Sequence, residues 1–178
     1  MARAIFLACG GDQDAVTLPA NVECEGVNPA LLEDSPERPG VVAWLADRMR
    51  GIERFTHQMP SIAVFVERED EVQPIADALN DAMANGNTQV VACPKGQVMG
   101  QQNEVRVFDV QYIKGLEFEA VFLVGVDRLA KIHPDLYDKY LYIGATRAAT
   151  YLGFTCHAKL PCAFSSLRSS FVSGWPLP

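Results

Sequence analysis

The sequence lacks a phosphate-binding loop and an excess of positive charge. No G-x-x-x-x-G-K-[ST] pattern occurs, and Lys95-Gly96 stands in a Gly/Gln-rich stretch, residues 94–103, that we predict to be a polar loop. There are 15 Lys and Arg against 22 Asp and Glu, a net charge of −7. Because a domain that binds nucleic acid alone usually has a basic face, any such contact here is expected to be local or shared with another domain.

The sequence also lacks paired cysteines and long apolar runs. Its cysteines are odd in number and form no C-x-x-C pair: Cys9, Cys24, Cys93, Cys156 and Cys162. Buried thiols are therefore favoured over disulfides or a metal site, and Cys156-His157 with Cys162 matches no zinc spacing. No run approaches the roughly 18 apolar residues of a membrane span, and no signal peptide is recognisable. We expect no metal, no membrane partner and a cytoplasmic location.

What is present indicates one α/β domain. The chain has 178 residues, 49% of them hydrophobic, enough for a sizeable core. Helices are predicted at Val41–Phe55, Glu71–Met83, Asp135–Ala149 and Phe164–Phe171. Strands are predicted at Arg3–Cys9, Val16–Glu25, Ser61–Val66, Thr88–Cys93, Val105–Val110, Ala120–Val126 and Tyr151–Cys156. Because strands alternate with helices, a parallel sheet covered on both faces follows.

The predicted helices show which side faces the core. In Val41–Phe55 the residues Val41, Leu45, Met49 and Ile52 fall on one face, with Trp44 and Phe55 beside it. In Asp135–Ala149 the residues along one side are Leu136, Tyr140, Ile143 and Arg147. Asp70 is a predicted N-cap for Glu71–Met83. Residues 26–40, rich in proline and acids, are predicted to be a loop.

Two segments contain the residues that most suggest a binding or catalytic role. The first, Ile113-Lys114-Gly115-Leu116-Glu117-Phe118, connects two predicted strands. Loops at the carboxyl ends of strands are where open α/β sheets usually bind ligands, and Gly115 permits a tight turn or a close backbone approach. The second is the end of a predicted helix, Leu141-Tyr142-Ile143-Gly144-Ala145-Thr146-Arg147-Ala148. Arg147 suits an anion held against a neighbouring domain, because its planar guanidinium meets phosphate bidentately.

In order and context, the two segments resemble motifs V and VI of superfamily 1 helicases of the UvrD/Rep type. The resemblance covers roughly Ile62 to Leu160. It implies a second RecA-like domain, a three-layer α/β fold that lacks the P-loop, in a compact branch without the large accessory insertion. The implied organisation is a weakly matched part at 1–60, the RecA-like domain at 61–172 and a tail at 173–178.

The resemblance implies a nucleotide site. Arg147 matches the arginine finger, which stabilises charge on the γ-phosphate; the alternative is a surface arginine in an ion pair. Glu117 matches the glutamate beside the ribose and phosphates, or is a solvated loop acid. Gly115 matches the glycine where the backbone approaches the nucleotide. Lys114 contacts phosphate or a partner carboxylate, or is solvated.

The implied contact with DNA is less complete. Gln111 stands where the family has histidine, and its amide can still donate to a phosphate. Asp109 stands where the family has threonine, and a carboxylate would repel phosphate. Tyr112 is either a base-stacking residue or a packed tyrosine. Glu67 and Gln73 occupy two positions at which the family has arginine.

The sequence has no Walker A motif, and its apolar strand ends Asp127-Arg128 rather than Asp-Glu. The resemblance therefore implies that ATP and Mg²⁺ are bound mainly by an N-terminal RecA-like domain of the same or another chain. We expect the C-terminal motor domain of an ATP-dependent DNA helicase, with single-stranded DNA as a partner and no hydrolysis by this chain alone. Two alternatives stay open: a non-catalytic protein-interaction module derived from such a domain, and an unrelated nucleotide-binding α/β regulator.

Overall fold

The computed structural model describes residues 27–84, 86, 88–98, 104–113, 115 and 117–175. The predicted strands Arg3–Cys9 and Val16–Glu25 lie outside these residues. The described part contains a six-stranded, all-parallel sheet in the order β1-β6-β5-β2-β4-β3, so the predicted parallel α/β sheet is confirmed. The strands are β1 (Ala30–Leu32), β2 (Ile62–Val66), β3 (Val90–Ala92), β4 (Val105–Asp109), β5 (Phe118–Leu123) and β6 (Ala148–Thr155).

Helices cover both faces of the sheet, which confirms the predicted three layers. They are α1 (Arg38–Thr56), α2 (Val72–Met83), α3 (Val126–Ile132) and α4 (Tyr137–Thr146). Helices α1 and α2 pack on one face, and α3 and α4 pack on the other. Single 3₁₀ segments are found at Glu69–Glu71, Pro94–Gly96, Val110–Tyr112 and Cys162–Ser170.

Helix α1 follows from its sequence. Proline in its first turn has φ already fixed near the helical value, and the helix ends where His57 adopts φ 60°. The predicted core face is confirmed, since Val41, Leu45, Met49 and Ile52 are all buried. Phe55, expected beside that face, is instead 59% exposed.

Several features differ from the sequence-based expectation. Strand β1 lies within the predicted loop 26–40; its three residues are held by parallel pairing with β6, an interaction between distant segments. The strand predicted at Ala120–Val126 ends at Leu123, because Gly125 adopts φ +70° and turns the chain into the unpredicted helix α3. Asp70 is not an N-cap, since its carboxylate accepts hydrogen bonds from Arg68.

Helix α4 is rotated relative to the predicted face. It buries Tyr137, Leu141, Gly144 and Ala145, whereas Leu136, expected inside, is 39% exposed. The reason is close packing on the sheet: a Cβ at Gly144 would lie 2.9 Å from a methyl carbon of Leu123. The small residues therefore face the strands and the larger Tyr140 is displaced to the side.

The C-terminal part of the described chain packs against the sheet. Trp175, in the predicted tail, is 8% exposed, and its indole N–H donates to the carbonyl of Asn28 at 2.8 Å. Its ring lies against Tyr151 and Phe122 at centroid distances of 5.2 and 6.1 Å. Among the described residues no helix is long and apolar enough to cross a membrane.

Candidate functional site

The segment between β4 and β5 crosses the sheet from one edge to the other. Because all strands are parallel, β4 ends at the carboxyl edge and β5 begins at the opposite, amino edge. Gln111 and Tyr112 directly follow β4 and stay at the carboxyl edge, whereas Glu117 directly precedes β5 at the amino edge. The expectation that this whole loop lies at the carboxyl ends of strands is therefore wrong for Glu117.

Arg147 joins Glu117 at the amino edge. It follows the last residue of α4, and its N–H donates to the carbonyl of Gly144 at 3.1 Å. The carbonyl of Arg147 in turn accepts the N–H of Phe118 at 2.9 Å. Glu117 and Arg147 thus lie on either side of one backbone hydrogen bond, although 30 positions separate them in the sequence. The structure brings the two chemistry-bearing segments together at this point.

One N–H donor of the Arg147 side chain has no hydrogen-bond partner among the described residues. The residue is half-buried, and its Nε is buried without a hydrogen-bond partner among the described residues. A guanidinium has five N–H donors in a planar fork and stays charged at any physiological pH. Its charge and planar shape suit such a group to binding an anion.

Gly115 adopts φ +77°, and a Cβ placed on it would meet nothing within 4 Å. The left-handed backbone conformation, rather than a close contact inside the domain, therefore explains why glycine occupies position 115. Lys114 lies outside the described residues. Glu117 is exposed.

Glu117 lines a polar depression of about 530 Å³ at the amino edge. The other walls come from Arg106, Ser61, Glu119 and the chain between α1 and β2. These residues were missed in the sequence, although Arg106 gave a signal: it is a cation inside an otherwise apolar strand. The depression and Arg147 make the amino edge a polar surface beside both motifs.

The carboxyl edge is acidic where the sequence predicts contact with DNA. Asp109 is 1% exposed and accepts both the N–H of Gln111 at 2.8 Å and its side-chain amide at 3.2 Å. Burial raises the pKa of Asp109, the Gln111 N–H opposes that rise, and the charge of Glu69 adds to it. The Gln111 amide is therefore used within the domain. Tyr112 is 40% exposed and covers Gly96.

A second polar crevice, of about 220 Å³, lies at the carboxyl ends of β2 and β5. From these neighbouring strands the chain leaves to opposite faces, the position at which open sheets often bind ligands. Glu67 lies here, 3% exposed, and Arg128 Nη1 is 3.5 Å from its Oε1. Burial raises the pKa of Glu67, while its own backbone N–H, His157 and Arg128 oppose the rise.

Residues 104–155, which contain both motifs, match the family model described as the UvrD-like helicase C-terminal domain. Over these 52 residues, less than a third of the chain, the sequence is similar to that helicase domain. The matched residues run from β4 to the end of β6, so they include the backbone bond between Phe118 and Arg147. No curated protein matches the chain.

The chain is also similar to solved structures. The C-terminal domain of a possible DNA helicase from Lactobacillus plantarum WCFS1 is 16% identical, with a TM-score of 0.64 over 85% of this chain and 88% of that one. A helicase, arterivirus nonstructural protein 10 in complex with DNA, is 20% identical, with a TM-score of 0.48 over 84% of this chain and 35% of that one. The first likeness shows the fold alone, and that fold is the expected RecA-like α/β fold.

Cysteine and histidine side chains form no metal centre among the residues that the structure describes. No group of three or more His, Cys, Asp or Glu side chains is placed to hold an ion there. Cys156 is buried, which raises the pKa of its thiol to about 12 and makes it unreactive. His157 instead lies near Asp127, with Nδ1 3.5 Å from Oδ1.

Proposed function

We propose that this chain is the C-terminal motor domain of an ATP-dependent DNA helicase. It supplies Arg147 as the arginine finger to a nucleotide held by an N-terminal RecA-like domain of the same or another chain. The observation that carries the proposal is the 2.9 Å bond from the Phe118 N–H to the Arg147 carbonyl, which places Glu117 and Arg147 at one edge of the sheet.

Each residue that the sequence predicts for the nucleotide site then has a role. Arg147 approaches the γ-phosphate and stabilises the charge that develops on it during transfer. Glu117 accepts hydrogen bonds from the ribose, and the open space at Gly115 lets the nucleotide approach the backbone. Lys114 pairs with a phosphate or with a carboxylate of the partner domain. ATP and Mg²⁺ are bound mainly by that partner, because this sequence has no Walker A or Walker B motif.

Hydrolysis would be coupled to closure of the two domains. ATP draws the amino edge of this domain toward the partner, which inserts Arg147, and release of products reopens the pair. Single-stranded DNA would pass the carboxyl edge near Gln111 and Tyr112. This domain contributes only part of the grip there, because Asp109 and Glu67 replace residues that could attract phosphate.

Arg147 can be tested in the assembly of this chain with the proposed Walker-bearing domain. We expect Arg147→Ala to lower kcat for DNA-stimulated ATP hydrolysis by about 10³-fold or more, the range of arginine fingers. The KM for ATP should change little, because the finger acts in the transition state. Steady-state ATPase assays across ATP concentrations measure both constants.

The matched control is Arg54→Ala, which removes an exposed arginine whose Nε donates to the carbonyl of Arg50 at 3.3 Å. It should leave kcat within about 2-fold, as expected for an exposed site away from the chemistry. Equal kcat for wild-type protein and Arg147→Ala would refute the proposal. So would ATP turnover by the purified chain alone that disappears with Arg147→Ala.

A second candidate function is a non-catalytic interaction module with a helicase fold. The hydrogen bonds from Gln111 to Asp109 favour it, because they occupy the group that would otherwise bind the DNA backbone. The dependence of partner binding on nucleotide distinguishes the two candidate functions. A motor domain associates with its Walker-bearing partner more tightly when a non-hydrolysable ATP analogue is present, whereas an interaction module shows no such dependence.

A further inference from the structure

The strand that follows Arg147 contains a β-bulge. Phe118 pairs with Ala148, but Ala120 pairs with Tyr151. Ala149 and Thr150 of β6 therefore lie opposite Glu119 alone. A bulge bends its strand and changes the direction of nearby side chains, and bulges are frequent beside active sites.

Hydrogen bonds fix the bulge at both ends. At one end the Phe118 N–H donates to the Arg147 carbonyl. At the other end the Thr150 hydroxyl donates to the carboxylate of Glu119. The chain from Arg147 to Thr150 is thus attached to β5 on both sides of its irregular part.

The acceptor of this second bond is itself held in place. The Glu119 N–H donates to the Ser61 hydroxyl at 3.0 Å, and the Ala120 N–H donates to the Ser61 carbonyl at 3.1 Å. Ser61 immediately precedes β2, the next strand of the sheet. A line of contacts therefore runs from β2 through Glu119 to Thr150, all at the amino edge.

We propose that Thr150 and Glu119 are positioning residues for Arg147. Their bond sets the path of the bulged chain, and with it the direction in which the guanidinium leaves the sheet. The proposal rests on the function proposed above, because it gives the pair its effect through the arginine finger. Misplacement of a catalytic group by about 1 Å can cost on the order of 10²-fold in rate, so a modest change in the bulge is measurable.

The test is a double-mutant cycle in the native polypeptide with its Walker-bearing domain. Thr150→Val keeps the shape and the strand preference of the side chain but removes the donor, whereas Thr150→Ser keeps the donor. We expect Thr150→Val to lower kcat for ATP hydrolysis by about 10-fold with little change in KM. Thr150→Ser should retain most of the wild-type kcat. In an Arg147→Ala background, Thr150→Val should change kcat by less than about 2-fold.

The cycle separates positioning from stability. A structural defect lowers the active fraction in both backgrounds, so an equal loss in the two backgrounds would overturn the proposal. Full activity of Thr150→Val in the wild-type background would overturn it as well. A different result would refute the proposed function itself: an Arg147→Ala variant with the kcat of the wild-type protein.

Discussion

Glu67 is a carboxylate in a place that disfavours its charge. It is 3% exposed at the end of β2, and the half-exposed guanidinium of Arg128 approaches it only to 3.5 Å. Gly125 completes the enclosure: a Cβ there would lie 2.6 Å from Glu67 Oε2, and its φ of +70° disfavours any other residue. Burial, the largest cause, raises the pKa of Glu67.

The raised pKa gives stability a definite pH dependence. Above the ordinary value of 4.5 the unfolded chain ionises Glu67 before the folded chain does, so the folded state becomes relatively less stable as pH rises through the folded pKa. Glu67→Gln removes this loss. We expect the variant to gain stability relative to wild type at pH 7, by an amount within the roughly 0.5–3 kcal/mol of single substitutions, and to lose the gain near pH 4.

Urea unfolding at both pH values measures the difference. The control is Glu37→Gln, the same substitution at an exposed position, which should show no such dependence. A Glu67→Gln variant that is less stable than wild type at pH 7 would mean that the contact with Arg128 outweighs the cost of burial.

At the scale of elements, Asn80 protects the short edge strand β3. Its side-chain amide donates to the carbonyl of Val90 at 2.7 Å and accepts the N–H of Val90 at 2.9 Å. Asn80 therefore pairs with backbone groups that an edge strand would otherwise leave open. Helix α2, which carries Asn80, is thereby fixed to the strand that follows it.

Asn80→Ala should destabilise the domain. It leaves the N–H and carbonyl of the buried Val90 without these partners, at a cost of about 1–3 kcal/mol each at most. We expect the Tm to fall by several °C, because about 1 kcal/mol corresponds to roughly 2–4 °C in a domain of this size. Asp81→Ala, an exposed change on the same helix, is the control. Equal Tm values for the two variants would show that β3 is held mainly by β4.

The elements that sequence alone predicts are those with a local signal. Helix α1 has its proline, its apolar face and its length, and the apolar run of β2 is unbroken. Strand β1 has three residues and depends on pairing with β6, so no local pattern identifies it. The rotation of α4 depends on how close Gly144 comes to Leu123, which periodicity does not encode.

The sequence singles out some residues of the candidate site but not how they are arranged. Motif spacing singles out Glu117 and Arg147, while the edge at which they lie depends on strand direction. Strands β4 and β5 both run parallel to β2, so the loop between them must cross to the amino edge. Thr150 and Glu119 have no signal of their own, because their contact arises from the register shift between β5 and β6.

At the scale of the whole molecule, the two edges of the sheet have different character. The amino edge combines Arg147, Arg106 and a polar depression, whereas the carboxyl edge carries the buried carboxylates of Glu67 and Asp109. The net charge of the chain is −7. An edge of this kind repels the phosphates of DNA unless another domain supplies positive charge.

This difference predicts weak DNA binding by the purified chain. Proteins that bind DNA without sequence preference typically have a Kd of about 10⁻⁴ to 10⁻⁶ M at physiological salt, from contacts between Lys or Arg and phosphates. We expect this chain to bind single-stranded DNA more weakly than about 10⁻⁴ M in a fluorescence anisotropy titration, and its complex with the proposed Walker-bearing domain to bind more tightly. Micromolar binding by the chain alone, decreasing steeply with salt, would show that its own cations form the DNA surface. The residues to map would then be Lys95 and Arg68, the exposed cations that follow β3 and β2.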